Sequence, residues 1–145
     1  MMHRISAFLA AIFLTLVLAG CGTTKVVMDG ADRVAVSISS SKYTLESDGT
    51  IFSVRENNKT VLRGILLDEK KYFENVLAAK AAPNLTIYEE DGFFLHYTRQ
   101  GQMGMEQDWL FPVKDSAAYV YLSTPLPKAR AEEIFKSLSF AKEKS

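Results

Sequence analysis

Sixteen consecutive residues without a charge, Ile5 to Gly20, stand at the head of this chain, introduced by Met1-Met2-His3-Arg4 and closed by Cys21. A basic start, an apolar helix-forming middle and small residues at the exit make a secretory signal, which is removed and takes no part in the folded product. The leader spans residues 1–20, and cleavage before Cys21 leaves 125 of the 145 residues. That is one domain on ordinary length priors, with enough chain for one core.

The tetrapeptide Leu18-Ala19-Gly20-Cys21 resembles the bacterial lipobox at each of its four positions. The resemblance implies that small Ala19 and Gly20 admit the lipoprotein signal peptidase. It implies that the Cys21 sulfur takes a diacylglyceryl group and that cleavage between Gly20 and Cys21 follows. The lipidated cysteine, with or without a further N-acyl chain, becomes the new N-terminus. Each buried methylene contributes about 0.8 kcal/mol, so two or three acyl chains give durable attachment to membrane lipid. In enterobacterial relatives an Asp after the cysteine favours inner-membrane retention, so Gly22 resembles the outer-membrane pattern where an organism has two membranes. An uncleaved spanning helix is the rival reading. It fits less well, because the exit Gly-Cys-Gly-Thr-Thr lacks the Lys, Arg, Trp or Tyr that anchor a span.

A single cysteine allows no intramolecular disulfide and no paired-cysteine metal or redox site. Its placement instead favours conversion to a thioether. Basic and acidic residues number 17 each, and removing Arg4 leaves 16 against 17. Nucleic-acid binding needs clustered Lys and Arg, whereas the one basic doublet, Lys70-Lys71, adjoins Asp68-Glu69. No nucleic-acid partner, metal or cofactor is expected.

Residues 21–32 read as the lipidated cysteine and a short tether, and 33–145 as one domain. Val34, Val36 and Ile38 alternate with smaller residues, and Tyr43 and Leu45 follow a serine break. Ser47-Asp48-Gly49 and Asn57-Asn58 are turn signals around Ile51–Val54 and before Val61–Leu67. Asp68 is a helix N-cap, and the helix runs to Ala82 before Pro83, with Phe73, Val76 and Leu77 as its apolar stripe. Leu85–Glu89 and Phe93–Thr98 flank Asp91-Gly92, a strong hairpin signal. Met105–Val113 and Ala117–Ser123 form another pair. A second helix opens at Pro127 and carries Ala131, Ile134, Phe135 and Leu138 on one face, with Phe140 packed behind it. The predicted fold is α+β, an antiparallel sheet of about seven strands with two helices packed on it. This order of elements, closing on Ser137-Leu138-Ser139-Phe140, resembles the PsbP-like fold. The resemblance implies a binding or assembly module more than an enzyme.

His96, the one histidine after cleavage, has a side chain suited to acid–base work or metal binding. It stands in an aromatic strand without a nucleophile motif, and a structural or surface role is expected. Glu89, Glu90 and Asp91 lack the spacing of a cation loop. Glu106 and Asp108 share a strand face, and their distance from the 89–91 group decides whether paired-carboxylate chemistry is open to them. Gly101-Gln102-Met103-Gly104-Met105 reads as a loop whose two thioethers suit protein or lipid contact, with Met105 more expected in the core on the parity of Trp109 and Phe111. Tyr43, Tyr72, Tyr88, Tyr97, Tyr119 and Tyr121 combine apolar area with a polar tip.

The chain therefore reads as an envelope lipoprotein with a monomeric, non-catalytic domain that binds or helps assemble an envelope protein. The alternative is a small-ligand or lipid-binding lipoprotein with a groove between helices and sheet. No catalytic residue is assigned.

Overall fold

The computed structural model describes residues 24–102 and 104–144. The leader and the predicted processing and lipidation site, Gly20 and Cys21, lie outside the described residues. Ten strands and two helices follow in order: β1 (Thr24–Met28), β2 (Val34–Ile38), β3 (Thr44–Ser47), β4 (Ile51–Glu56), β5 (Lys59–Leu67), α1 (Glu69–Lys80), β6 (Thr86–Asp91), β7 (Phe94–Gly101), β8 (Gly104–Pro112), β9 (Tyr119–Thr124), α2 (Lys128–Ser137) and β10 (Leu138–Lys142). The main sheet has seven antiparallel strands in the order β3-β4-β5-β9-β8-β7-β6, and a second sheet has the order β1-β2-β10. The α+β class, the seven-stranded sheet and the two helices are those predicted.

Turn chemistry sets the hairpins. Asp48 accepts from the backbone N–H groups of Thr50 and Ile51, each at 2.9 Å, and Gly49 takes φ of 99°. Asn57 and Asn58 both have positive φ, 51° and 65°, as a two-residue turn twisted to match its strands requires. Asp68 caps α1 by accepting from the Lys71 N–H at 2.8 Å. Pro127 stands just before α2 as its N-cap, one position earlier than the first-turn role predicted.

The second sheet corrects both ends of the sequence reading. Part of the stretch taken for a tether is strand β1, paired with β2 from Thr24↔Ile38 to Met28↔Val34. Met28 is fully buried and Val26 packs against the same core. The closing residues form a strand as well. Leu138 continues the helical spacing of Ile134 and Phe135, yet α2 stops at Ser137 and Leu138 pairs with Ile38 while Phe140 pairs with Val36. Alternation of Leu138 and Phe140, not helical periodicity, is the pattern that operates there.

The main sheet is covered on both sides, unequally. On one face, Phe52, Val54, Leu62, Trp109, Phe111, Val120 and Leu122 pack with Val34, Val36 and Ile38 of the second sheet and Ala131 and Ile134 of α2. Gly64 of β5 carries no side chain because a Cβ there would lie 2.3 Å from the Phe52 ring. On the other face α1 covers Leu67, Leu95, Tyr97 and Leu110 with Tyr72 and Ala79. Its inward stripe is buried Tyr72 and Ala79 with half-buried Val76. The predicted stripe is thus rotated, since Phe73 is 43% and Leu77 71% exposed. Tyr72 wins the inward position by stacking on Tyr119, with centroids 4.4 Å apart, and by donating its hydroxyl to the Phe93 carbonyl.

Candidate functional site

Strand register assembles the polar site on the α1 face. Arg63 lies opposite Ser123, Ser123 opposite Asp108, and Asp108 opposite Tyr97, making one row across β5, β9, β8 and β7. Two positions along, Arg99 lies opposite Glu106. Side chains two apart share a face, so these residues converge where α1 no longer covers the sheet.

Asp108 is at the centre and fully buried. Its Oδ2 accepts from Arg99 Nε at 2.8 Å and from the Tyr121 hydroxyl at 2.7 Å, and its Oδ1 accepts from Ser123 Oγ at 2.7 Å. Arg99 Nη2 also donates to Glu106 Oε2 at 3.1 Å and to the Tyr121 hydroxyl at 3.1 Å. A buried carboxylate is tolerated when it is paired and its lone pairs are filled, and this one meets both conditions. Burial pushes the Tyr121 phenol up to about 12, and the Asp108 carboxylate beside it acts the same way. Burial, followed by the same carboxylate, raises Tyr97 further. Both tyrosines are therefore neutral donors at physiological pH.

Two hollows flank the network. One, of about 240 Å³, lies at the C-terminal end of α1 and is lined by Asn75, Ala79, Pro83, Tyr97, Arg99 and Tyr121. The other, of about 570 Å³, lies on the far side and is lined by Thr60, Val61, Arg63, Glu106, Ser123 and Pro125.

The remaining candidates sit elsewhere. His96 is buried on the opposite face, stacked on Trp109 at 4.4 Å and 8°, while Trp109 stacks on Phe135 at 4.9 Å and 4°. Its Nε2 lies 3.2 Å from Gln107 Oε1, and burial lowers its pKa against the pull of that hydrogen bond. Ser123 and His96 are thus separated by the sheet, and the serine hydroxyl is directed at carboxylates. Glu90 is tied to Lys80 at 2.5 Å, and strand alternation turns Glu90 to the face opposite Glu89 and Asp91. Among the described residues no group of three or more His, Cys, Asp or Glu is placed to hold a metal ion. Met105 is 46% exposed, because it lies near the hairpin tip beyond the reach of α2's aromatic packing; the core expectation for it does not hold. Tyr72 and Tyr119 support α1, Tyr43 is buried with its hydroxyl unpaired, and Tyr88 lies outside under Lys128 Nζ at 4.9 Å.

Sequence reasoning singled out Glu106, Asp108, Tyr97 and Tyr121 but not Arg63, Arg99 or Ser123. The available signal was Arg99 itself, a charge two residues after Tyr97 on the same strand parity. Comparison with protein-family models, with curated proteins and with solved structures finds no match.

Proposed function

We propose that this chain is a lipoprotein held on the cell-envelope membrane by lipid on Cys21, and that its domain is a non-catalytic binding or assembly module. The observation that carries the reading is how the reactive groups of the open face are used. Asp108 takes three donors, Tyr121 and Ser123 donate to it, and Arg99 bridges it to Glu106. Groups committed to one another in this way form a rigid, charged surface, which supports recognition more than reaction. The same face carries two hollows, which supports recognition by shape and charge.

The position of β1 adds a consequence. With Thr24 already in a strand, only Gly22 and Thr23 separate the lipidated cysteine from the sheet. Three extended residues reach about 10 Å, so the domain rides directly on the membrane surface. The outer membrane is the favoured location where there are two. Fatty-acid labelling is expected for the wild type and absent for Cys21→Ala; persistent labelling in the variant would refute the anchor. Capture from detergent-solubilised envelopes is expected to recover a protein partner. Recovering none, under conditions that preserve other complexes, shifts the reading to a small-ligand binder, which the 570 Å³ hollow favours independently.

A further inference from the structure

The larger hollow presents two charges that the network does not use up. Arg63 is exposed, its cross-strand neighbours are Ser53 and Ser123, and it joins no ion pair among the described residues. Glu106 is held from behind. Its Oε2 accepts from Arg99 Nη2 at 3.1 Å and from Ser123 Oγ at 3.3 Å, while its Oε1 is engaged by no donor among the described residues. Gly101 makes room for this carboxylate, because a Cβ there would lie 2.6 Å from Glu106 Cδ and 2.7 Å from Oε1. The φ of Gly101 is outside the left-handed region, so the turn itself does not call for glycine there. The missing side chain serves the placement of Glu106.

We propose that this hollow binds a small zwitterion of amino-acid type. Glu106 Oε1 and a lone pair of Ser123 Oγ receive the ammonium group, and Arg63 receives the carboxylate. The ligand's own side chain lies against Val61 and Pro125. This rests on the binding-module reading and names the ligand class of that surface.

Charge and size both select this class. A dianion would meet Glu106, and a dication would meet Arg63. Arg63 on β5 and Glu106 on β8 stand either side of β9, with Glu106 two residues along its strand from the Arg63–Ser123–Asp108 row. The volume, about 570 Å³, falls within the usual range of small-molecule sites.

The test is calorimetric titration of the full chain in detergent with each standard amino acid, up to about 10 mM. At least one is expected to bind. Its amide and its N-acetyl derivative, each lacking one charge, are expected to bind about tenfold or more weakly. Glu106→Gln, Arg63→Gln and Gly101→Ala should each weaken binding by at least about tenfold, with circular dichroism confirming the fold. No binding to the folded wild type, or unaltered binding in both Glu106→Gln and Arg63→Gln, overturns the proposal. Envelope capture with the same variants separates the two levels. A protein partner recovered by the wild type and lost with Arg63→Gln, in the absence of amino-acid binding, removes the zwitterion and keeps the binding module. No partner recovered by the wild type, with no amino acid bound, removes both.

Discussion

The two faces of the seven-stranded sheet follow different rules. One is dry: the second sheet and α2 seal it, and the polar side chains His96, Thr98 and Gln107 admitted there are hydrogen-bonded to one another, with His96 stacked on Trp109 and lowered in pKa by burial. The other is half covered by α1 and keeps Asp108 fully buried by supplying Arg99, Tyr121 and Ser123 as donors. Apolar packing makes the first face stable, whereas a saturated polar network makes the second face specific in shape and charge. Interiors of the first kind tolerate few changes of volume, and networks of the second kind tolerate few changes of hydrogen-bonding type.

The largest effect is expected where the dry face is thickest. Trp109→Ala removes a side chain that is 1% exposed and stacked on both sides, and a loss of about 3–5 kcal/mol is expected. Ile134→Ala, at 0% exposure, is expected to cost about 2–5 kcal/mol. Urea midpoints with unchanged slope are the measurement. A midpoint equal to wild type for Ile134→Ala would mean that α2 is a detachable docking helix and that the two faces are not different in kind.

Next comes the network. Asp108→Asn keeps the shape but turns an acceptor toward the role of donor, facing Arg99 Nε and two hydroxyls. A cost of about 1–3 kcal/mol is expected, moderated because the Arg99 side chain is 26% exposed and reaches water. If Asp108→Leu proves more stable than Asp108→Asn, the network is kept for recognition and not for stability.

How far these faces could be read from the sequence depends on the range of the contacts. Strand β2 is legible to the residue, because Val34, Val36 and Ile38 alternate within five positions. Turns at Asp48-Gly49 and Asn57-Asn58 are legible because each is chemically local. Strand β10 is not, since it pairs with β2 a hundred residues away at Leu138↔Ile38, and β1, though only six residues from β2 at Met28↔Val34, is not because Thr-Lys-Val-Val-Met carries no alternation. The site divides the same way. Glu106 and Asp108 share one strand, but their partners Arg99 and Ser123 arrive from the neighbouring strands β7 and β9 through a hairpin register that the residue pattern alone does not fix.

A smaller effect, in pH, distinguishes the buried imidazole from the buried carboxylate. The folded state holds His96 below its ordinary value near 6.5, so the unfolded chain takes up the proton first. Stability from the neutral imidazole is present above about pH 6.5 and is lost as pH falls through the folded pKa. His96→Phe retains the stack on Trp109 and cannot be protonated. The difference in urea midpoint between wild type and His96→Phe is therefore expected to shift against the wild type between about pH 7.5 and pH 5. A pH-independent difference would place the imidazole in contact with water and make the dry face wet at that point.

The smallest expected effect concerns α1, the lid over half of the polar face. Its sequence offers Leu77 as an inward residue, yet Leu77 is 71% exposed while Tyr72 and Ala79 are buried. Truncating an exposed leucine removes little buried area, and alanine is the better helix former, so Leu77→Ala is expected to lie within about 0.5 kcal/mol of wild type. Tyr72→Ala, which loses the Tyr119 stack and the bond to the Phe93 carbonyl, should cost several times more. The pair reads the rotation of the helix directly. If Leu77→Ala were instead the costlier change, α1 would be turned by a residue in solution. The hollow beside Arg99 would then have a different wall, and the contrast between a sealed face and an open one would need redrawing from the helix outward.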